Sequence, residues 1–220
     1  MKNYGRLRGD MKKTAIVAAV LLALNLTACK GTGTETPDEV LPLPEQENYT
    51  EYDFPDYSEM THFSNTGQYA NMQGYCGWYY CYGSTDGELE YMVYDPYSGA
   101  YRGGGSPIMY IQKDEWQPSV SYEMAACFKV PRAGEISVSL SLDLIYTQEG
   151  SDDGVSFYCL TNYENGTAFW SAYLIGSNPE VNETVTISVR RGEVIYFVMS
   201  ANEGRYNDLT RVNIEIEYGE

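Results

Sequence analysis

Across residues 136–144 the chain alternates strictly, with Ile136, Val138, Leu140, Leu142 and Leu144 apolar and Ser137, Ser139, Ser141 and Asp143 polar between them. Successive side chains of a strand point to opposite sides of a sheet, so period two marks a strand with one buried face. The same alternation returns in Val155, Phe157 and Cys159, in Val185, Ile187 and Val189, in Ile195, Phe197 and Met199, and in Val212, Ile214 and Ile216. Turn-forming sequence separates these runs: Arg132-Ala133-Gly134, Asp153-Gly154, Asn165-Gly166, Arg191-Gly192 and Glu203-Gly204. Further strands are expected around 75–82, 89–94, 107–112 and 122–130, and no stretch of ten residues combines helical spacing with a cap. Short strands with one apolar face each must bury those faces against one another. The pattern therefore predicts an all-β, jelly-roll type β-sandwich of about nine strands over residues 66–220.

The front of the chain follows other rules. Lys12 and Lys13 precede an apolar run over 14–28 that ends in Leu26-Thr27-Ala28-Cys29. A basic start, a short apolar middle and small residues before a cut make a secretory signal peptide. The cysteine directly after them matches the bacterial lipobox, in which the thiol receives a diacylglyceryl group and becomes the new N-terminus. Residues 1–28 are thus expected to be a lipoprotein signal peptide and Cys29 the lipidated residue, which anchors an exported protein to the bacterial cell membrane or outer surface. A membrane-spanning helix fits less well, since about 15 apolar residues are too few for a ~30 Å hydrocarbon core.

Residues 30–60 carry nine acids against Lys30 alone, together with Pro37, Pro42, Pro44 and Pro55. Such a segment buries too little apolar surface to offset its ordering entropy, and its charges repel one another. Residues 29–65 are expected to be a disordered acidic tether. A calcium-binding strip would need a loop spacing that this segment lacks.

The formal charge is −17, and without residues 1–28, which hold five bases and one acid, it becomes −21. Nucleic-acid binding depends on Lys and Arg neutralising phosphates, so no nucleic-acid partner is expected, nor electrostatic docking on anionic lipid. The aromatic content is lopsided, with 22 Tyr against 3 Trp and 6 Phe. Tyrosine suits sheets and wet surfaces, because its ring is apolar and its tip polar. Beyond Cys29 there are four cysteines, Cys76, Cys81, Cys127 and Cys159. In an exported protein they suit a disulfide as well as they suit buried free thiols. Read as one extended run, Cys76 and Cys81 stand ~16 Å apart, beyond the reach of a bridge.

One order of residues resembles a known family. Phe128, Pro131 and Gly134 are followed by the alternating strand, Asp153-Gly154-Val155 with Phe157, Trp170, Arg191-Gly192-Glu193, Ile195-Tyr196-Phe197, then Asp208 and Thr210 before Tyr218. The series is similar to the β-sandwich modules of bacterial secreted polysaccharide-active proteins, with Glu193 where those modules carry Asp. The resemblance implies a non-catalytic, carbohydrate-binding-like sandwich and a polysaccharide or glycan partner.

Two constellations carry the candidate chemistry. Sugar rings present flat C–H faces that stack on aromatic rings, so Trp78, Tyr80, Trp116, Trp170 and Tyr173 are the candidate carbohydrate-binding residues. The same rings suit a buried core. Asp143, Asp152, Asp153 and Asp208 would converge on a structural calcium if their loops are neighbours, since Ca²⁺ takes six to eight oxygens. They equally suit turns, where aspartate bonds local backbone amides. His62 is the only histidine, so a histidine-based triad has little to draw on, and Glu123, Glu135 and Asp143 carry no distinguishing motif for a carboxylate pair. The expected function is glycan capture without catalysis. An adhesive or envelope-structural lipoprotein with a protein partner, and a small jelly-roll glycan-cleaving enzyme, are the alternatives. Replacing Cys29 by Ala should abolish lipid attachment and release the protein from membrane fractions, read by intact mass and fractionation. An unmodified Cys29 in the membrane fraction would overturn the lipobox assignment.

Overall fold

The computed structural model describes residues 56–84, 88–104, 106–145, 153–163, 167–202 and 208–219. Among these residues the strands, in chain order, are β1 (His62–Ser64), β2 (Trp78–Gly83), β3 (Glu90–Tyr91), β4 (Val93–Asp95), β5 (Ala100–Arg102), β6 (Tyr110–Gln112), β7 (Glu115–Gln117), β8 (Glu123–Lys129), β9 (Gly134–Leu144), β10 (Val155–Leu160), β11 (Trp170–Leu174), β12 (Glu180–Val189), β13 (Val194–Ala201) and β14 (Thr210–Tyr218). They form two antiparallel sheets. The larger runs β12-β9-β14-β7-β6-β5-β4, with β1 also on β14, and the smaller runs β11-β10-β13-β8-β2-β3.

From β7 to β10 the chain alternates between sheets, turns back through the β10–β11 hairpin, and returns by the same alternation. As a result β12 pairs with β9, β13 lies between β10 and β8, and β14 lies between β9 and β7. That order is a jelly roll. The expected architecture is therefore present, with fourteen strands instead of about nine. The additional ones are mostly at the front, where β1 and β3 to β7 are two or three residues long. Strands that short display no period to read.

The long strands behave as their sequence dictates. Ile136, Val138, Leu140, Leu142 and Leu144 of β9 lie inward with Val212, Ile214 and Ile216 of β14, facing Phe128, Phe157 and Phe197 of the smaller sheet in one continuous core. Turn chemistry holds at Gly154, whose φ of 64° is left-handed and where a Cβ would run into the Leu174 carbonyl oxygen. Before β2 the expectation of a strand from residue 75 fails. Tyr75–Gly77 form a single 3-10 turn, entered through Gly74 at φ 85° and carrying Cys76 at φ 50°. Left-handed backbone at successive positions is incompatible with a strand, so the run is not extended at Cys76.

The fold also begins earlier than residue 66. His62, Phe63 and Ser64 pair with Glu217, Ile216 and Glu215 of β14, Phe63 is fully buried, and Tyr57 meets its ring edge-on at 6.2 Å. Between β1 and β7, the open side of β14 is completed by one side chain. The amide of Asn65 donates to the Val212 carbonyl at 3.1 Å and accepts from the Ile214 N–H at 2.7 Å. Gln73 does the same for β2: its amide nitrogen donates to Tyr80 O and Met92 O, each at 2.9 Å, and its oxygen accepts from Tyr80 N at 2.7 Å.

Truncating Asn65 would leave a donor and an acceptor of β14 buried without partners, at about 1–3 kcal/mol each. Asn65→Ala should therefore lower stability by about 2–6 kcal/mol in urea unfolding. A loss well under 1 kcal/mol would mean that water replaces the amide.

Candidate functional site

A sandwich ordinarily has its outer faces in water. Here the outer face of the smaller sheet carries a second apolar layer, with Cys81, Ala125, Cys127 and Val198 fully buried and Leu160, Val194 and Tyr196 nearly so. What covers them is tyrosine: Tyr79, Tyr91, Tyr158 and Tyr163 pack on this layer with Leu89.

The strand register fixes the layout. Tyr158, Val198, Ala125, Cys81 and Tyr91 form one row across β10, β13, β8, β2 and β3, and Leu160, Tyr196, Cys127 and Tyr79 form the next. Small side chains thus make a floor between larger rings. Tyr79 and Tyr91 stand 6.0 Å apart by ring centroid and Tyr163 and Tyr196 5.8 Å.

Glu123, at the start of β8, is the polar centre of this face and is only 7% exposed. Its carboxylate accepts from the Tyr158 hydroxyl and from the Tyr163 hydroxyl at 3.0 Å. Burial first, and then the bond to Glu123, raise the Tyr158 phenol above the ordinary tyrosine range. Burial and the Glu123 charge do the same to Tyr163. Both phenols therefore keep their protons at neutral pH and donate them to Glu123. What remains on each oxygen for a ligand is acceptor capacity, suited to O–H donors.

The candidates chosen from sequence are divided by this geometry. Trp78, Tyr80 and Trp116 are at most 1% exposed and belong to the core between the sheets, so none of them can present a ring to a sugar. Trp78 lies 5.0 Å from Phe128, Tyr80 stacks on Tyr101 at 4.5 Å, and Trp116 reaches Phe157 at 6.0 Å. Trp170 is half-buried at the edge of the sandwich, its ring edge-on to Phe157 at 6.2 Å and its indole N–H donating at 2.7 Å to Glu183 of the other sheet. Tyr173 is 49% exposed, pairs with Ser156 on the outer side, and donates to the Asp153 carbonyl at 2.6 Å.

The aspartates do not gather. Asp152 lies outside the described residues, and among the described residues no three His, Cys, Asp or Glu side chains are placed to hold a metal ion. Asp143 is engaged by Arg211 at 3.1 Å on the larger sheet. Asp153 sits at the head of β10 in the smaller sheet, its carbonyl held by the Asn202 amide at 2.9 Å. Asp208 is fully buried, and its carbonyl accepts from the Thr210 hydroxyl at 3.0 Å.

No family model matches the chain, and no curated protein sequence matches it. Among solved structures it is similar to a carbohydrate-binding module from Cellvibrio mixtus lichenase 5A in complex with cellotriose, at 12% identity over 46% of this chain and 79% of that one, TM-score 0.25. It is also similar to a CBM4 structure at 11% identity over 50% and 64%, TM-score 0.23. A third is pika GITRL, at 12% identity over 53% and 93%, TM-score 0.29. At these TM-scores the fold rests on the strand order itself.

Burial separates the tryptophans energetically. Trp78→Ala and Trp116→Ala should each cost roughly 3–5 kcal/mol through lost transfer and cavity terms. Trp170→Ala, at the edge, should cost less than half as much in the same denaturant series. Equal losses for all three would mean that Trp170 is as much a core residue as the others.

Proposed function

We propose that the protein is a lipid-anchored surface protein that captures glycan, without cleaving it, on the tyrosine face of its smaller sheet. The observation that carries this reading is the outer layer itself, in which Tyr79, Tyr91, Tyr158, Tyr163 and Tyr196 pack with a floor of small side chains and two of them, Tyr158 and Tyr163, bond Glu123. Flat apolar rings suit the C–H faces of sugars, and phenol oxygens with lone pairs to spare suit sugar hydroxyls. Tyr173 extends the same face at its margin. The lipobox read at Cys29 in the sequence supports an exported, lipid-anchored setting for this face.

A protein partner is the second reading, and a different surface favours it. Val93 is 73% exposed and Tyr97 fully exposed on the β4–β5 hairpin at the end of the larger sheet.

Glycan arrays probed with the unlipidated Cys29→Ser protein test the first reading. Specific saccharide binding should appear and should weaken roughly 5- to 150-fold in Tyr158→Ala or Tyr91→Ala, the effect of losing one stacked ring. Val93→Asp with Tyr97→Asp should leave it unchanged. Absence of saccharide binding, or binding that survives both tyrosine substitutions, would overturn the assignment of this face.

A further inference from the structure

The floor of the tyrosine face holds two sulfurs that glycan capture does not use. Cys81 of β2 lies opposite Ala125 of β8, and Cys127 stands two residues further along β8, opposite Tyr79. Both side chains therefore project to the same side of the sheet, on a diagonal between adjacent antiparallel strands. Both are fully buried free thiols in the same cluster. Cys76 and Cys159 belong instead to the core between the sheets. Of the pairings open to four cysteines, the fold brings these two side chains together on the outer face.

We propose that Cys81 and Cys127 are joined by a disulfide in the exported protein, tying β2 to the central strand β8 beneath the tyrosine layer. The proposal rests on the export reading, because a disulfide persists in an oxidising compartment. Diagonal neighbours stand about 7–8 Å apart, at or past the ~7 Å limit, so closing the bridge takes a small movement of the β2 backbone relative to β8.

The chemistry is two thiol–disulfide exchanges with a disulfide-bearing oxidant. One cysteine, as thiolate, attacks the oxidant's disulfide and releases its first thiol. The second cysteine then attacks the mixed disulfide and releases the other. Two protein thiols become one S–S bond while the oxidant's disulfide becomes two thiols, so atoms and electrons balance. Exchange must precede closure of the tyrosine layer. Once covered, the Cys127 thiol is pushed well above its ordinary range by burial and by the neighbouring Cys81 thiol, and a buried protonated thiol is inert.

The test uses the full chain made with its own leader in a bacterium, denatured without reductant, alkylated and analysed by intact mass and peptide mapping. Alkylation at Cys76 and Cys159 only is expected, with the peptides bearing Cys81 and Cys127 linked until reductant separates them. Reductant should lower the thermal midpoint by roughly 5–15 °C, and Cys81→Ala with Cys127→Ala should remove that sensitivity. Four alkylated thiols, or a bridge between any other pair, would overturn the proposal. The mass at Cys29 in the same spectrum reports export separately: a lipidated Cys29 with four free thiols sinks the disulfide alone, and a bridge with an unmodified Cys29 sinks the anchor alone.

Discussion

β14 lies inside the larger sheet, so its backbone donors and acceptors need partners along both edges. Unpaired groups buried away from water cost as much as lost hydrogen bonds. β9 serves one edge along the entire strand, from Thr210 paired with Leu144 to Tyr218 paired with Ile136. The other edge is served in pieces: β7 pairs Thr210 and Arg211, Asn65 takes Val212 O and Ile214 N, and β1 pairs Glu215 to Glu217. Segments near residues 62 and 115 are thereby held on the same strand near the end of the chain. The jelly roll is closed by its own front.

Gln73 repeats the device on the smaller sheet, where one amide stands in for a neighbouring strand at Tyr80 and Met92. A primary amide offers a carbonyl and an N–H₂ group, which together mimic one peptide unit. Such a substitution works only at short range and in one orientation. It ties β2 to the segment between β3 and β4, and β2 carries Tyr79 to one face and Trp78 and Tyr80 to the other.

Tyrosine serves both apolar layers: Tyr80, Tyr82 and Tyr101 are buried in the core between the sheets, and Tyr79, Tyr91, Tyr158, Tyr163 and Tyr196 belong to the outer layer. The closed core also takes Phe63, Phe128, Phe157, Phe197, Trp78 and Trp116, all fully buried or nearly so. Tyrosines cover the outer layer because a ring there must exclude water from Cys81, Ala125 and Cys127 and still present a polar tip. Glu123 then takes two of those tips, and its burial is tolerated because both oxygens accept hydrogen bonds. The same arrangement that shields the floor makes the face suited to a ligand with apolar faces and hydroxyl edges.

Alternation in β9, β12, β13 and β14, and the turns between them, determined an all-β sandwich from sequence, because period two with one apolar face has few other ways to be buried. Near residue 78 the sequence established that alternate rings face opposite sides. It did not establish which side lies inward, and a shift of one residue exchanges the faces. Trp78 and Tyr80 proved to be core, and Tyr79 proved to be surface layer. Tyr158 and Tyr163 lie 35 and 40 residues from Glu123 in the chain, and no local pattern announces a cluster assembled from β8, β10 and the segment after β10. The reverse holds for Asp143 and Asp153, which look alike in sequence yet sit in different sheets. Local periodicity is set by backbone geometry and so is legible along the chain; the choice of face and the meeting of distant side chains depend on which strands pair, and only the folded sheet order decides that.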